Sequence, residues 1–284
     1  MLNSIRKKQV FLIAAIVLLV GFLFTRDVKG LVKKEEEETH NTSAAQATEA
    51  PALSLEEVST TAKNLISTTS AKEIAQLETS YQQAGSAEKT DLAQQLAQKW
   101  DDVEQAIPSA MYTEIVALKQ PNFKNWLLTG ERSLRAFDTT QDTLVQSVML
   151  QKANIAFTKA LEIDSTSNDA KTGLGVSIVN GMGAPMQGIA MLMDVVKKDP
   201  KNLKANMNLG MFANKSGQFD KAIIRFNYIL KEIKETPDAY LHLAFAYENL
   251  DQKKEAINAY LNAKKLAANP TITTFVDKKV AELK

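Results

Sequence analysis

The chain has 284 residues, 34 Lys and Arg against 33 Asp and Glu, 45% hydrophobic and 7% aromatic residues, two His and no Cys. A near-zero net charge leaves no basic footprint for nucleic acid. The lack of cysteine excludes disulfides, Cys-zinc sites and thiol nucleophiles, and two His leave little room for imidazole catalysis. The length suits a repeat array, or one medium domain with an anchor.

Residues 1–8 form a short basic tail with Arg6, Lys7 and Lys8, and residues 9–25 are expected to be a transmembrane anchor. Within it, residues 10–24 (VFLIAAIVLLVGFLF) are an unbroken apolar or small run in which twelve of fifteen are Val, Leu, Ile or Phe. Summed insertion energies give roughly −4 to −7 kcal/mol, so insertion is favourable. The residues after the run, Phe22 to Asp27, offer no small-residue cleavage pattern, and the anchor is therefore expected to stay uncleaved. Arg26, Lys29, Lys33 and Lys34 answer the basic tail, so a count of cations alone does not set orientation. The compact patch directly before the core reads as the cytoplasmic side. The bulk of the chain is then expected outside an inner (cytoplasmic) membrane, in a periplasmic or other extracytoplasmic space.

Residues 26–53 read as a flexible linker, because the KKEEEETHNTSAAQATEAPA stretch has no apolar periodicity with which to offset ordering entropy. Residues 54–121 are rich in Ala, Leu, Glu, Gln and Lys and read as antiparallel helical hairpins. Two Ser-x-x-Glu capping boxes, from Ser54 and from Ser70, mark helix starts, and breaks are expected near residues 67–70, 84–86 and Pro108. Ser86 reads as a further cap.

Beyond residue 121 the chain repeats. Leu209, Gly210, Ala222 and Phe226 recur as Leu243, Ala244, Ala256 and Tyr260, each offset by 34 residues. Small residues let two helices approach closely, while large ones fill the neighbouring groove. One hairpin cannot hide that face alone, so units must stack. Gly217 suits the left-handed turn between two helices, and Pro200 and Pro237 sit where one unit gives way to the next.

These residues at this period resemble the tetratricopeptide repeat (TPR) family. Residues 237–270 carry Tyr240, Leu243, Ala244, Tyr247, Ala256, Tyr260 and Ala263. Residues 203–236 keep Leu209, Gly210, Ala222 and Phe226 but have Asn206 where the first aromatic is expected. Residues 168–202 keep Leu174, Gly175 and Pro200, with Gly188 and Leu192 in the second helix and one extra residue in the turn. A divergent unit, 122–167, begins at Trp126 and Gly130 and ends at Ala153, Phe157 and Ala160, with about eleven extra residues expected near 138–149. Residues 271–284 read as a final capping helix through Val276, Val280 and Leu283. The fold class implied is all-α: a TPR-like solenoid of helical hairpins behind a single membrane helix and a disordered tether.

Short strings that imitate catalytic or metal motifs fail on context. Ser86–Lys89, Lys171–Gly173 and Tyr247–Asn249 resemble penicillin-binding elements, but their order and helical setting are wrong for that chemistry. Asp164, Thr166, Asn168 and Asp169 lack the Gly and Glu of a calcium loop. His40, on an acidic tether, reads as solvated, and Asn41-Thr42-Ser43 fits a glycosylation sequon. Six of nine Met fall in one stretch, Met182, Met186, Met191, Met193, Met207 and Met211, and read as adaptable packing. No catalytic residue, metal or cofactor is expected.

The resemblance implies that first-helix residues line an inner surface. Carried over, these are Thr172, Val176, Val179 and Asn180; then Met207, Asn208, Met211, Asn214 and Lys215; then Leu241, His242, Phe245, Glu248 and Asn249. TPR proteins that clamp a peptide carboxylate place Lys and Asn where this chain has Met207 with Met211 and Leu241 with Phe245, so that clamp is disfavoured. An apolar stripe bordered by Asn, Lys and Glu suits an amphipathic helix or extended peptide. The expected function is a non-catalytic, membrane-anchored scaffold or assembly factor that binds protein or peptide partners. The alternative is a structural envelope protein that self-associates through its N-terminal helices as a homo-oligomer.

Overall fold

The computed structural model describes residues 53–181 and 183–284, and the anchor, the tail and the linker up to Ala52 lie outside the described residues. Thirteen α-helices and no strand occur among the described residues. The first four are α1 (Leu55–Lys63), α2 (Thr68–Gln83), α3 (Ser86–Asp102) and α4 (Ala106–Lys119). Ser54 caps α1 as expected, its hydroxyl accepting from the Glu57 amide. The next cap is Ser67, not Ser70, because Ser67 Oγ accepts from the Ser70 amide and the helix starts at Thr68. Gly85 rather than Ser86 precedes α3, with no side-chain cap. Pro108 breaks nothing. It lies in the first turn of α4, where its missing N–H costs no hydrogen bond, and the chain turns earlier, at Glu104, whose φ is +58°.

These four helices close on Ile74, Leu96, Trp100 and Tyr112. One carboxylate sits among them. Glu78 accepts from Ser59 Oγ, from Lys63 Nζ at 2.6 Å and from the Tyr112 hydroxyl at 3.3 Å, which ties α1, α2 and α4 together. Burial and the Glu78 charge both hold the Tyr112 hydroxyl well above its ordinary range, so it stays a donor.

Helices α5 (Phe123–Thr139) and α6 (Thr143–Ile163) form the next hairpin. The extra residues expected as an insertion are instead helical: α5 is 17 residues long and α6 is 21. Together they exceed the regular hairpin formed later in the chain, of 13 and 14 residues, by the eleven residues in question. The added turns are the joint between the N-terminal helices and the repeats. Ala136, Val148 and Met149 pack there on Ala106, Ala110 and Met111, with Leu53 and Val58 on the flank. Leu53, expected as the end of the linker, is thus part of this contact. Polar bonds reinforce it: Arg132 donates to Thr113 Oγ1 at 2.7 Å and lies 3.5 Å from Asp101, which also pairs with Arg135.

The array continues with α7 (Asn168–Gly181), α8 (Pro185–Lys198), α9 (Leu203–Lys215), α10 (Phe219–Tyr228, extended by a wider turn over Ile229–Ile233), α11 (Pro237–Asn249) and α12 (Lys253–Leu266). Helix α13 (Pro270–Leu283) closes the end, burying Val276 and Val280 against α12. Asn202 and Thr236 cap α9 and α11, and Gly217 makes the intervening turn at φ +72°, a conformation that favours glycine. First helices pack on first helices, α5 on α7, α7 on α9 and α9 on α11, so they form the inner layer of the stack.

Ring against missing side chain is the recurring contact. Phe157 of α6 is 1% exposed and lies between Gly130 of α5 and Gly173 of α7; a Cβ at Gly130 would stand 2.6 Å from the ring, and one at Gly173 closer still. Phe226 lies on Gly210 in the same way. Gly173→Val is therefore expected to lower stability by about 1–3 kcal/mol, since the branched side chain would push the Phe157 ring out of its place between α5 and α7. Thermal unfolding followed by circular dichroism should show the midpoint several degrees lower, and an unchanged midpoint would contradict this packing.

Candidate partner-binding groove

Because the first helices line the inside of the stack, their outward faces form one continuous inner surface. Its apolar end lies on α9 and α11. Met211 is 38% exposed and Phe245 is 43% exposed, with half-buried Met207 and Leu241 between them. Phe245 also meets Phe219 edge to face at 6.2 Å, which holds its ring in place. Asn208 and Asn249 bond back to the carbonyls of Lys204 and Phe245, four residues earlier in each helix. Lys215 reaches across to Asn180 Oδ1 at 3.1 Å.

Not every residue expected on this surface reaches it. Thr172 is only 3% exposed and Asn214 only 7% exposed. Asn214 is a strut: its Nδ2 donates to the His242 carbonyl at 2.9 Å and joins α9 to α11. Glu248 faces the end of the array, accepting from the Tyr260 hydroxyl at 2.7 Å and from Lys279 of α13 at 2.8 Å. The His242 ring stacks on Phe226 of the preceding hairpin, 5.5 Å between centroids and 16° between planes. Val176 and Val179 pack half-buried on the cluster of Leu192 and Leu209. The expected positions thus divide into an open set, centred on Met211 and Phe245, and an inter-repeat set of Thr172, Asn214, His242 and Glu248.

The other end of the same surface is charged. A cleft of about 320 Å3 has Leu134, Phe157, Thr172 and Val176 at its base and Glu131, Arg135, Asp138, Asp169, Lys204 and Asn208 around it. Lys204 bridges Glu131 at 2.8 Å and Asp169 at 3.7 Å. Burial holds the Asp138 carboxyl above the usual range, with Lys215 opposing the shift. Sequence reasoning missed the α5 contribution, Glu131, Leu134, Arg135 and Asp138. The signal was present in the Trp126 and Gly130 pair, which marks α5 as a first helix.

The N-terminal helices do not fill the apolar end of this surface. The apolar clusters holding Val176, Val179, Met207 and Leu241 contain no residue of α1 to α4. Among the described residues no group of three or more His, Cys, Asp and Glu is placed to hold a metal ion, and no helix is long and apolar enough to cross a membrane.

Residues 237–270 match the tetratricopeptide repeat family model. The array has the fold of a tetratricopeptide-repeat solenoid. Two solved structures share its fold. One is TTC0263, a thermophilic TPR protein of Thermus thermophilus, with 14% identity and a TM-score of 0.55 over 68% of this chain and 99% of that one. The other is PilW, a type IV pilus biogenesis factor, with 20% identity and a TM-score of 0.52 over 70% of this chain and 87% of that one. Comparison with curated protein sequences yields no match.

His242 gives the TPR stack a pH signature. Burial lowers its pKa, against the pull of Asp238, so the folded state binds its proton less readily than the unfolded state. Its contribution is therefore intact above the unfolded imidazole pKa of about 6.5 and is lost as pH falls toward the lower folded value. The stability of the full chain against denaturant should fall as pH drops from about 7 through 6.5 and below. His242→Phe, which keeps the stack on Phe226, should flatten that slope; the same slope in both proteins would remove His242 as the cause.

Proposed function

We propose that this chain is a non-catalytic scaffold or assembly factor that takes an apolar segment of a partner protein into the concave face of its TPR array. The observation that carries the reading is the pair of large apolar side chains left open on consecutive first helices, Met211 and Phe245. Among the described residues these are the two exposed large apolar side chains on the first helices, where Leu209 and Leu243 are buried between hairpins. An amphipathic helix or extended peptide could place apolar side chains on Met207, Met211, Leu241 and Phe245, with Lys215, Asn208 and Asn249 as polar rim. Methionine is suited to such a surface because its unbranched thioether adapts to irregular partners. The charged end around Asp138 and Lys204 would set direction and register more than affinity.

The apolar run at residues 10–24 supports placing this scaffold at an inner (cytoplasmic) membrane, held by one helix, with the array on the extracytoplasmic side at the end of a charged tether. The test is co-purification of full-length protein from detergent-solubilised native membranes. Met211→Glu combined with Phe245→Glu should remove the bound partner while circular dichroism and the unfolding midpoint stay close to the parent, since both positions are solvent-facing. Retention of the same partner by this variant would exclude the groove as its docking surface.

A further inference from the structure

On the outer side of the array the clefts between hairpins recur with the 34-residue period, and two of them differ in charge. The earlier cleft, of about 410 Å3, is lined by Val196, Asn206, Lys221, Ile224, Arg225 and Tyr228. Stepping 34 residues onward turns Asn206 into Tyr240, Lys221 into Glu255, Ile224 into Asn258 and Arg225 into Ala259, and these four line the later cleft, of about 520 Å3. The earlier cleft thus holds two cations and no acid among its lining residues, whereas its counterpart has an acid in place of the lysine and no arginine.

The substitution at Asn206 and the arginine are one device. Asn206 stands where the repeat pattern has an aromatic, yet it is fully buried, and its Nδ2 is used by the carbonyls of Pro200 at 2.9 Å and Asn202 at 2.8 Å. Its Oδ1 accepts from Arg225 Nη1 at 2.8 Å. This fixes the guanidinium in place. The other amino group, Nη2, meets only the weak acceptor Met193 Sδ at 3.8 Å, and no carboxylate pairs with Arg225 among the described residues. A half-buried guanidinium held at one edge and open at the other is preorganised for a bidentate carboxylate. Lys221 lies one turn before it on the same helix face and is spent only on Gln218. Ile224, 71% exposed, stands beside the pair and gives the site an apolar shelf that a bare anion would not use.

We propose that the cleft around Arg225 is a second recognition site, on the outer side of the array and independent of the groove, for an acidic side chain of a partner peptide whose apolar neighbour rests on Ile224 and Val196. The guanidinium takes the carboxylate, and Lys221 draws a second acid one turn away. The departure of Asn206 from the repeat pattern then has a reason: a ring there would fill the space and leave Arg225 without its anchor.

The test uses full-length protein in detergent and fluorescein-labelled, C-terminally amidated peptides, Ala-Leu-Glu-Leu-Glu-Ala and its counterpart with Gln for both Glu, followed by fluorescence anisotropy. The acidic peptide should bind and the Gln peptide should not. Lys221→Glu, at an exposed position that leaves the Asn206 bonds intact, should weaken binding by about tenfold or more, and Arg225→Gln, which keeps a donor toward Asn206, should do the same. Met211→Glu with Phe245→Glu should change nothing. The proposal is overturned if the acidic peptide fails to bind, if both peptides bind equally, if Lys221→Glu leaves affinity unchanged, if the groove variant abolishes binding, or if a Gln peptide with a free C-terminal carboxylate binds as well as the acidic one.

Discussion

A large apolar side chain from each outer helix, an aromatic ring on three of the four and Leu192 on α8, set against a spot on an inner helix that has little or no side chain, is the contact on which the array depends. Phe157 meets Gly130 and Gly173, and Phe226 meets Gly210. Tyr260 and Ala244 lie buried in one cluster at the equivalent place in the last repeat. A single hairpin would leave half of each ring in water. The next hairpin covers the exposed half, and this coupling makes the pieces cooperate. The requirement for close approach also fixes the spacing of small and large residues, which is why the pattern recurs every 34 positions.

Two consequences bear on function. Because most large apolar residues of the inner helices are consumed inside the stack, as Trp126, Ile178, Leu209 and Leu243 are, Met211 and Phe245 stand out as the ones left open. The ends of the array must also be closed. Helix α13 does this at one end through Val276 and Val280, and Lys279 locks it to Glu248. At the other end the longer hairpin α5–α6 carries the extra turns that dock α1 to α4, with Arg132 and Arg135 gathered on Asp101. The N-terminal helices therefore extend the pile rather than plug its hollow.

Much of this was legible in the residues. The period, the left-handed turn at Gly217 and the cap at Ser54 follow from local sterics that any reader of the chain can apply. What was hidden depends on choices between near-equivalent local signals. Ser67 and Ser70 both offer a hydroxyl, and only the tertiary placement of α2 selects the first. The eleven surplus residues of the divergent unit broke the period and so read as an insertion, yet the segment around Val148 is as helix-compatible as its flanks and simply lengthens both helices. At the site, helical spacing placed the inner-face positions correctly on first helices but could not tell which face outward. Asn214 and Glu248 turn toward the next element because partners wait there, the His242 carbonyl and the Tyr260 and Lys279 side chains. The Asn206 and Arg225 pair, nineteen residues apart, left no pattern to find in advance.

The absence of cysteine makes one measurement unusually clean. Single cysteines placed at Met211, Phe245 and, as a buried reference, Leu209 can be tested for maleimide labelling in purified full-length protein and again in native membranes. The account predicts rapid labelling of the first two positions and slow labelling at Leu209 when the protein is alone, with protection of the first two where a partner occupies the groove. Protection of Met211 and Phe245 in the purified protein, or equal labelling in both settings, would contradict it.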